Sequence, residues 1–500
     1  MRKRNLCVAV VLLLLMSWAW YGCSGKKKDF DRLLVELAGK DATIDASDWQ
    51  RILDFLDGEK RSMGEFYADG VPDEEKIRDY ISDFFQHRRP PMEIAFSGIG
   101  VQRALRVNFY LERSGSMVPY DAPSGDGSFK AAIVQMLNNL PGGDESNSIF
   151  VVNNEINPYP KGYSQFVADS DIFGATKGIG DASHTDFAAI FRQLLDKTGR
   201  NELSILVTDM IYSTEAMTGV NAQKVFAEAQ GMINSVFKSQ VKDKAMLIVK
   251  MQGSYNGPYY SFNSTEGKMY QGRRPYYIVV VGNNETMARL TRDADYQTFC
   301  RWQELRGYEN MWLMETANMY EPYYSLLLSN KDIRGRFAPE RSKGDAIHGA
   351  EGLEPDRHSG DIKLALAVDL GGMLIDKNYL TDIKNYVVSS DDKIELKEIR
   401  EVSKEDDMPA ERKYLGKATH IFVLQTDKVT HEQTLRIALR NVIPAWVERS
   451  STDDDTNLSA ANFAETTFGL KYLLQGIYNS YRKHSDGEPC YFELKIKLED

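Results

Sequence analysis

The chain has few of the residues that reactive chemistry usually needs. Its 500 residues include only four cysteines and seven histidines. It contains no His-Glu-x-x-His helix, Gly-x-Ser-x-Gly elbow, Walker phosphate loop or paired ligand histidines. The signatures of zinc hydrolases, serine esterases and P-loop nucleotide enzymes are therefore missing. A basic excess is missing too, because 61 Lys and Arg stand against 72 Asp and Glu. That balance argues against a general nucleic-acid binder, which needs a cationic footprint for phosphates. The apolar run from Leu6 to Met16 is shorter than the roughly 20 residues of a membrane-spanning helix.

That short run comes after Arg2, Lys3 and Arg4 and leads through Trp20-Tyr21-Gly22 to Cys23. A basic start and a short apolar core describe a secretory signal. The cysteine at the cleavage position resembles a bacterial lipoprotein signal; Trp20 and Tyr21 are bulky for a lipoprotein cleavage point, and ordinary cleavage or an uncleaved anchor are the alternatives. The resemblance implies that Cys23 is lipidated and becomes the mature N-terminus, placing the protein in the bacterial cell envelope as a membrane-anchored lipoprotein, periplasmic or outer-membrane associated. Lys26, Lys27 and Lys28 would then lie against anionic headgroups. Loss of residues 1–22 leaves 58 basic and 72 acidic residues, a net charge of −14. Of the remaining cysteines, Cys300 and Cys490 are far apart in sequence, and two separate buried thiols are expected rather than a bridge.

Periodicity divides the rest of the chain. Residues 23–95 read as a tether and helical segment, with Phe30, Leu33, Leu34 and Leu37 on one face, Trp49, Ile52, Leu53 and Leu56 on another, and Asp48 and Asp73 as helix starts. From 100 to 300, apolar runs at 107–111, 149–153, 203–208, 245–251 and 276–282 alternate with helical runs at 129–140, 187–197, 222–237 and 285–293. The expected fold class is α/β, a doubly wound, mostly parallel sheet with helices on both faces. Residues 301–360 read as a connecting segment and polar linker. Residues 361–500 read as a β-rich, sandwich-like C-terminal domain with one helix, because Ile362, Leu364, Leu366 and Val368 alternate with polar or small residues.

The most informative stretch is Val107 to Met117, VNFYLERSGSM. An apolar strand ends in Glu112, and Ser114 and Ser116 come next in a glycine-containing loop that can turn all three side chains towards one point. One carboxylate and two hydroxyls form a hard-oxygen set suited to Mg²⁺, Mn²⁺ or Ca²⁺. This resembles the first motif, Asp-x-Ser-x-Ser, of the metal-ion-dependent adhesion site in von Willebrand factor A-type domains. Two later segments match in order: Gly180 to Asp186, where Thr185 corresponds to the family's metal-site threonine, and Ser204 to Asp209, where Asp209 corresponds to its second acid. The resemblance implies metal binding by Glu112, Ser114, Ser116, Thr185 and Asp209, with a ligand carboxylate completing the shell. Glu112 stands where the family has aspartate, and Met210 where a glycine commonly succeeds the acid.

Candidate partner contacts are His184 beside the threonine and the tyrosines Tyr255, Tyr259 and Tyr260 of a Tyr-rich segment, which reads equally as a hairpin packed on its own body. Asp453-Asp454-Asp455 is a charge run, more often solvated than ligating. Together these features describe a non-enzymatic, membrane-anchored envelope protein that uses a divalent cation to engage an acidic group of a protein partner. The alternatives are a metal-dependent envelope hydrolase and a structural protein with a silent site.

Overall fold

The computed structural model describes residues 26–499, except 39–41, 61, 69–70, 97–104, 141, 170, 181–186, 200, 212–219, 294–295, 341–345 and 485–487. The chain divides into two compact units, Met1–Arg103 and Ala104–Asp500. In the first, helices at residues 26–38, Ala46–Gly58 and Glu74–Gln86 enclose Phe30, Leu34, Trp49, Ile52, Ile77, Ile81 and Phe85. Asp45 caps the second helix and Asp48 returns the bond from its third position, a reciprocal capping box that starts the helix at Ala46, two residues before the expected Asp48. Asp73 caps the third helix.

The second unit is built on a seven-stranded sheet. Its strands are β1 (Arg106–Glu112), β2 (Asn147–Val152), β3 (Ile156–Pro158), β4 (Glu202–Thr208), β5 (Lys244–Tyr259), β6 (Lys268–Asn283) and β7 (Tyr308–Met314), in the spatial order β7-β5-β6-β4-β1-β2-β3. The expectation of a doubly wound, mostly parallel sheet is overturned. Only the β1–β2 and β1–β4 pairs are parallel; the β2–β3, β4–β6, β5–β6 and β5–β7 pairs are all antiparallel. The reason lies between Tyr259 and Lys268, where eight residues separate the strands. A parallel return needs a crossover of a dozen residues or more, so this short link closes a hairpin. That hairpin pairs Lys268 with Tyr259 at its tip and Asn283 with Lys244 at its base.

Helices cover the sheet. α1 (Ser128–Asn138) places Phe129, Ile133 and Leu137 in a core with Phe109, Ile205 and Val249. On the other side α2 (Phe187–Lys197), α3 (Ala222–Phe237) and α4 (Leu470–Arg482) share a core with Tyr110, Leu206, Ile248, Tyr277 and Trp312. α4 comes from the far end of the chain, and Gly476 lets it approach closely, since a Cβ there would stand 3.1 Å from Ile233 Cγ2.

Two further sheets complete the unit. One orders Tyr324–Leu326, Ile362–Val368, His420–Thr426 and Glu395–Glu401, all antiparallel. The other orders Arg336–Pro339, Gly349–Glu354, Cys490–Glu499, Gln433–Arg440 and Tyr386–Ser389. Leu364, Leu366, Phe422 and Leu424 of one share a core with Leu435, Ile437, Leu494 and Ile496 of the other. The segment expected as a linker therefore carries strands of its own, short and only weakly alternating. Cys300 and Cys490 are free thiols. Burial pushes the Cys300 thiol up to about 12.

Candidate functional site

Parallel pairing of β1 with β4 aligns Leu111 with Val207, so both strands end at one rim. Open α/β sheets hold ligands beyond such carboxyl ends. Glu112 closes β1 and is 2% exposed. The chain then turns tightly: Ser114 Oγ accepts the Met117 N–H at 3.3 Å, and the Ser114 carbonyl accepts from Met117 and Val118. This turn brings the Ser114 and Ser116 hydroxyl oxygens to 3.1 Å.

Beyond β4, Asp209 is 2% exposed and its Oδ1 accepts the Ile211 N–H at 3.0 Å. Among the described residues Asp209 Oδ2 accepts no hydrogen bond. Burial raises the Asp209 pKa; the Ser116 hydroxyl, the Ile211 N–H and the Arg274 guanidinium pull it the other way. The next residue, Met210, has φ of 54°, in the left-handed region that glycine adopts without strain. A glycine preference at this position thus has a visible cause. Met210 meets it with a side chain buried among α2 and α3 residues and with its N–H held by Thr208 Oγ1 at 2.9 Å.

Four of the five expected metal ligands therefore stand at the rim, Glu112, Ser114 and Ser116 from one strand end and its loop, and Asp209 from the adjacent strand. Thr185 and His184 lie outside the described residues, as does Cys23. No group of three or more His, Cys, Asp or Glu side chains is placed to hold a metal among the described residues. The set here is instead two hydroxyls and carboxylates, and the unmatched Asp209 Oδ2 beside them fits a hard cation. Among the described residues, no helix is long and apolar enough to cross a membrane.

The antiparallel half supplies what the sequence did not reveal. β6 runs opposite to β4 and pairs Tyr277 with Thr208, so the residues before Tyr277 continue past the end of β4. Arg274 lies in that overhang and is 2% exposed. Its Nη1 donates to the Phe463 carbonyl and its Nη2 to Tyr259 Oη at 3.3 Å. The guanidinium lies 4.1 Å from the Phe463 ring centroid and 4.8 Å from that of Tyr259. It acts electrostatically on Asp209. The Arg273-Arg274 pair in a Tyr-rich stretch carries no sequence signal of this kind; only the hairpin register separates buried Arg274 from its exposed neighbour.

The three tyrosines separate. Tyr255 and Tyr259 are buried, and Tyr259 Oη donates to Asp455 Oδ2 at 2.7 Å. Phe262 N–H donates to Asp455 Oδ1 at 3.1 Å, and Ser261 Oγ to its carbonyl. Asp455 of the acidic run is thus an internal anchor for the hairpin tip. Tyr260 is exposed, and its ring packs on the serine loop: a Cβ on Gly115 would stand 3.2 Å from Tyr260 Cε2. Asp126 serves a local role, accepting the Ser128 N–H at the start of α1.

No protein-family model, curated protein or solved structure matches the chain.

Proposed function

We propose that the chain is a binding protein, anchored at a bacterial envelope membrane through Cys23, whose rim engages an acidic group of a protein partner through a divalent cation. One observation carries the reading. Two serine hydroxyls 3.1 Å apart share the rim with a buried aspartate whose Oδ2 has no hydrogen bond among the described residues. A buried, unmatched carboxylate oxygen is costly, and a hard cation offsets that cost. Ser114, Ser116 and Asp209 would hold the ion, Glu112 would balance its charge, and Thr185 would complete the set. A cation there supplies a positive site with exchangeable positions, which suits capture of a carboxylate.

The test is thermal unfolding of the full chain in detergent, first with EDTA and then with millimolar Mg²⁺, Mn²⁺ or Ca²⁺. An ion that binds the folded chain alone should raise the midpoint by roughly 2–5 °C, and Asp209→Ala should abolish the rise. The same midpoint with every ion would remove the cation from the reading.

A further inference from the structure

The hairpin that replaces a parallel strand brings a permanent positive charge to the rim. Because β6 is antiparallel to β4, Arg274 hangs past the strand end from which Asp209 projects. The guanidinium cannot leave readily. It lies against the Phe463 and Tyr259 rings, which meet edge to face 4.9 Å apart, it is bonded to the Phe463 carbonyl and Tyr259 Oη, and Tyr259 is in turn held by Asp455. Tyr120, Tyr255, Tyr259 and Tyr277 are each within electrostatic reach of both Arg274 and Asp209, so these two opposite charges share one buried neighbourhood.

We propose that Arg274 is a fixed counter-cation for Asp209 that sets the cation affinity of the rim, keeping it low until an acidic ligand adds negative charge. The inference rests on the cation-binding reading and extends it to regulation of the same site. A divalent ion entering beside Asp209 meets one acid already partly neutralised and one unit of repulsion from a charge that cannot relax away. In a buried setting such repulsion is weakly screened by salt. An anionic group on the partner offsets it, so ion and partner bind with positive coupling, each raising the affinity of the other.

The experiment is titration of the full chain in detergent with Mn²⁺ alone, by calorimetry, for the native protein, Arg274→Met and Arg274→Lys. Met keeps an apolar stem against the two rings and removes the charge; Lys keeps the charge. The expected result is a Kd lower by about tenfold or more in Arg274→Met, and a value near native in Arg274→Lys. Equal Kd values in all three overturn the role of Arg274 and leave the cation site standing. Absence of Mn²⁺ binding in all three overturns the cation site and this inference with it. Should the variants not fold, anomalous scattering from Mn²⁺ in crystals of the native protein decides. An ion within about 8 Å of the guanidinium keeps a repulsion large enough to matter, whereas a guanidinium swung away from a bound ion overturns the proposal.

Discussion

The two halves of the seven-stranded sheet reach the same rim differently. In the parallel half, β1, β2 and β4 stop there; Glu112 ends β1, and the loops beyond the strands carry the two serines and Asp209. In the antiparallel half, β5 and β6 run on past it as a ribbon of two sixteen-residue strands. The parallel half thus presents donor oxygens, and the antiparallel half leans over them with Arg274 and Tyr260. A rim of parallel strand ends is open to solvent, but an overhanging hairpin gives it a roof and a built-in charge. Strand direction, which no motif residue encodes, therefore shapes this rim as much as the motif residues do.

The comparison breaks most visibly if the two halves are separate folding units. Phe109 on β1 and Ile278 on β6 are both fully buried in one continuous core. Phe109→Ala should cost about 3–5 kcal/mol and Ile278→Ala about 2–5 kcal/mol in urea unfolding, with the intrinsic fluorescence and far-ultraviolet dichroism of the second unit lost together. A transition that splits for one variant only would show the halves to be independent.

Next in size is the anchor that holds the overhang. Tyr259→Phe removes one donor to Asp455 and one acceptor for Arg274 without altering the ring stack. Leaving such buried partners unmatched should cost about 1–3 kcal/mol. The loss should fall on the hairpin, seen as faster hydrogen exchange at 255–262 than in β1 or β4. Uniform acceleration across the sheet would deny the hairpin its separate character.

Much of the parallel half was legible in the sequence. Apolar runs at 107–111 and 203–208 became β1 and β4, and the helical runs at 187–197 and 222–237 became α2 and α3 with the same limits. Local periodicity carries that information. Strand direction was not legible by the same means, because 245–251 and 276–282 read as strands whichever way they run. The clue was the missing helix between them, in a Tyr- and Gly-rich stretch that buries one face only, the face carrying Tyr255, Tyr259 and Arg274. The site split in the same way. Glu112, Ser114, Ser116 and Asp209 are motif residues fixed by local spacing, and the structure brings them to one rim. Arg274 and Asp455 act through partners distant in sequence, respectively Asp209 and Tyr259, and no local pattern encodes such pairings.

The far edge of the antiparallel half gives a pH test. Glu315 comes directly after β7 and is buried; burial raises its pKa well above the usual carboxylate range, outweighing the Met319 N–H. A carboxyl raised on folding contributes stability below its unfolded pKa, and that contribution is lost as pH rises towards the folded value. The native chain should therefore lose stability from about pH 4 to neutrality on this account. Glu315→Gln should raise the midpoint by about 2–4 °C near pH 7 and show no advantage near pH 4. An equal shift at both values would mean the carboxyl is ionised in the folded chain. Asp209 and Asp455 are raised in the same direction, so a residual slope in the variant belongs to them.

The smallest effect is expected at Tyr260, where the two halves touch at the surface. Tyr260 is 37% exposed, so Tyr260→Ala gives up little burial and should cost less than about 1 kcal/mol. Its value lies in what it uncovers. The ring covers Gly115 between the two serines, and its removal opens the loop to water while leaving Asp209 and Arg274 in place. If the overhang shields the rim, Tyr260→Ala should accelerate amide exchange at Gly115 and Ser116 severalfold and leave Ile205 and Val207 in β4 unchanged. If exchange at the serine loop stays the same, the tight Ser114 turn alone protects it, and the antiparallel half acts on the rim only through the charge of Arg274.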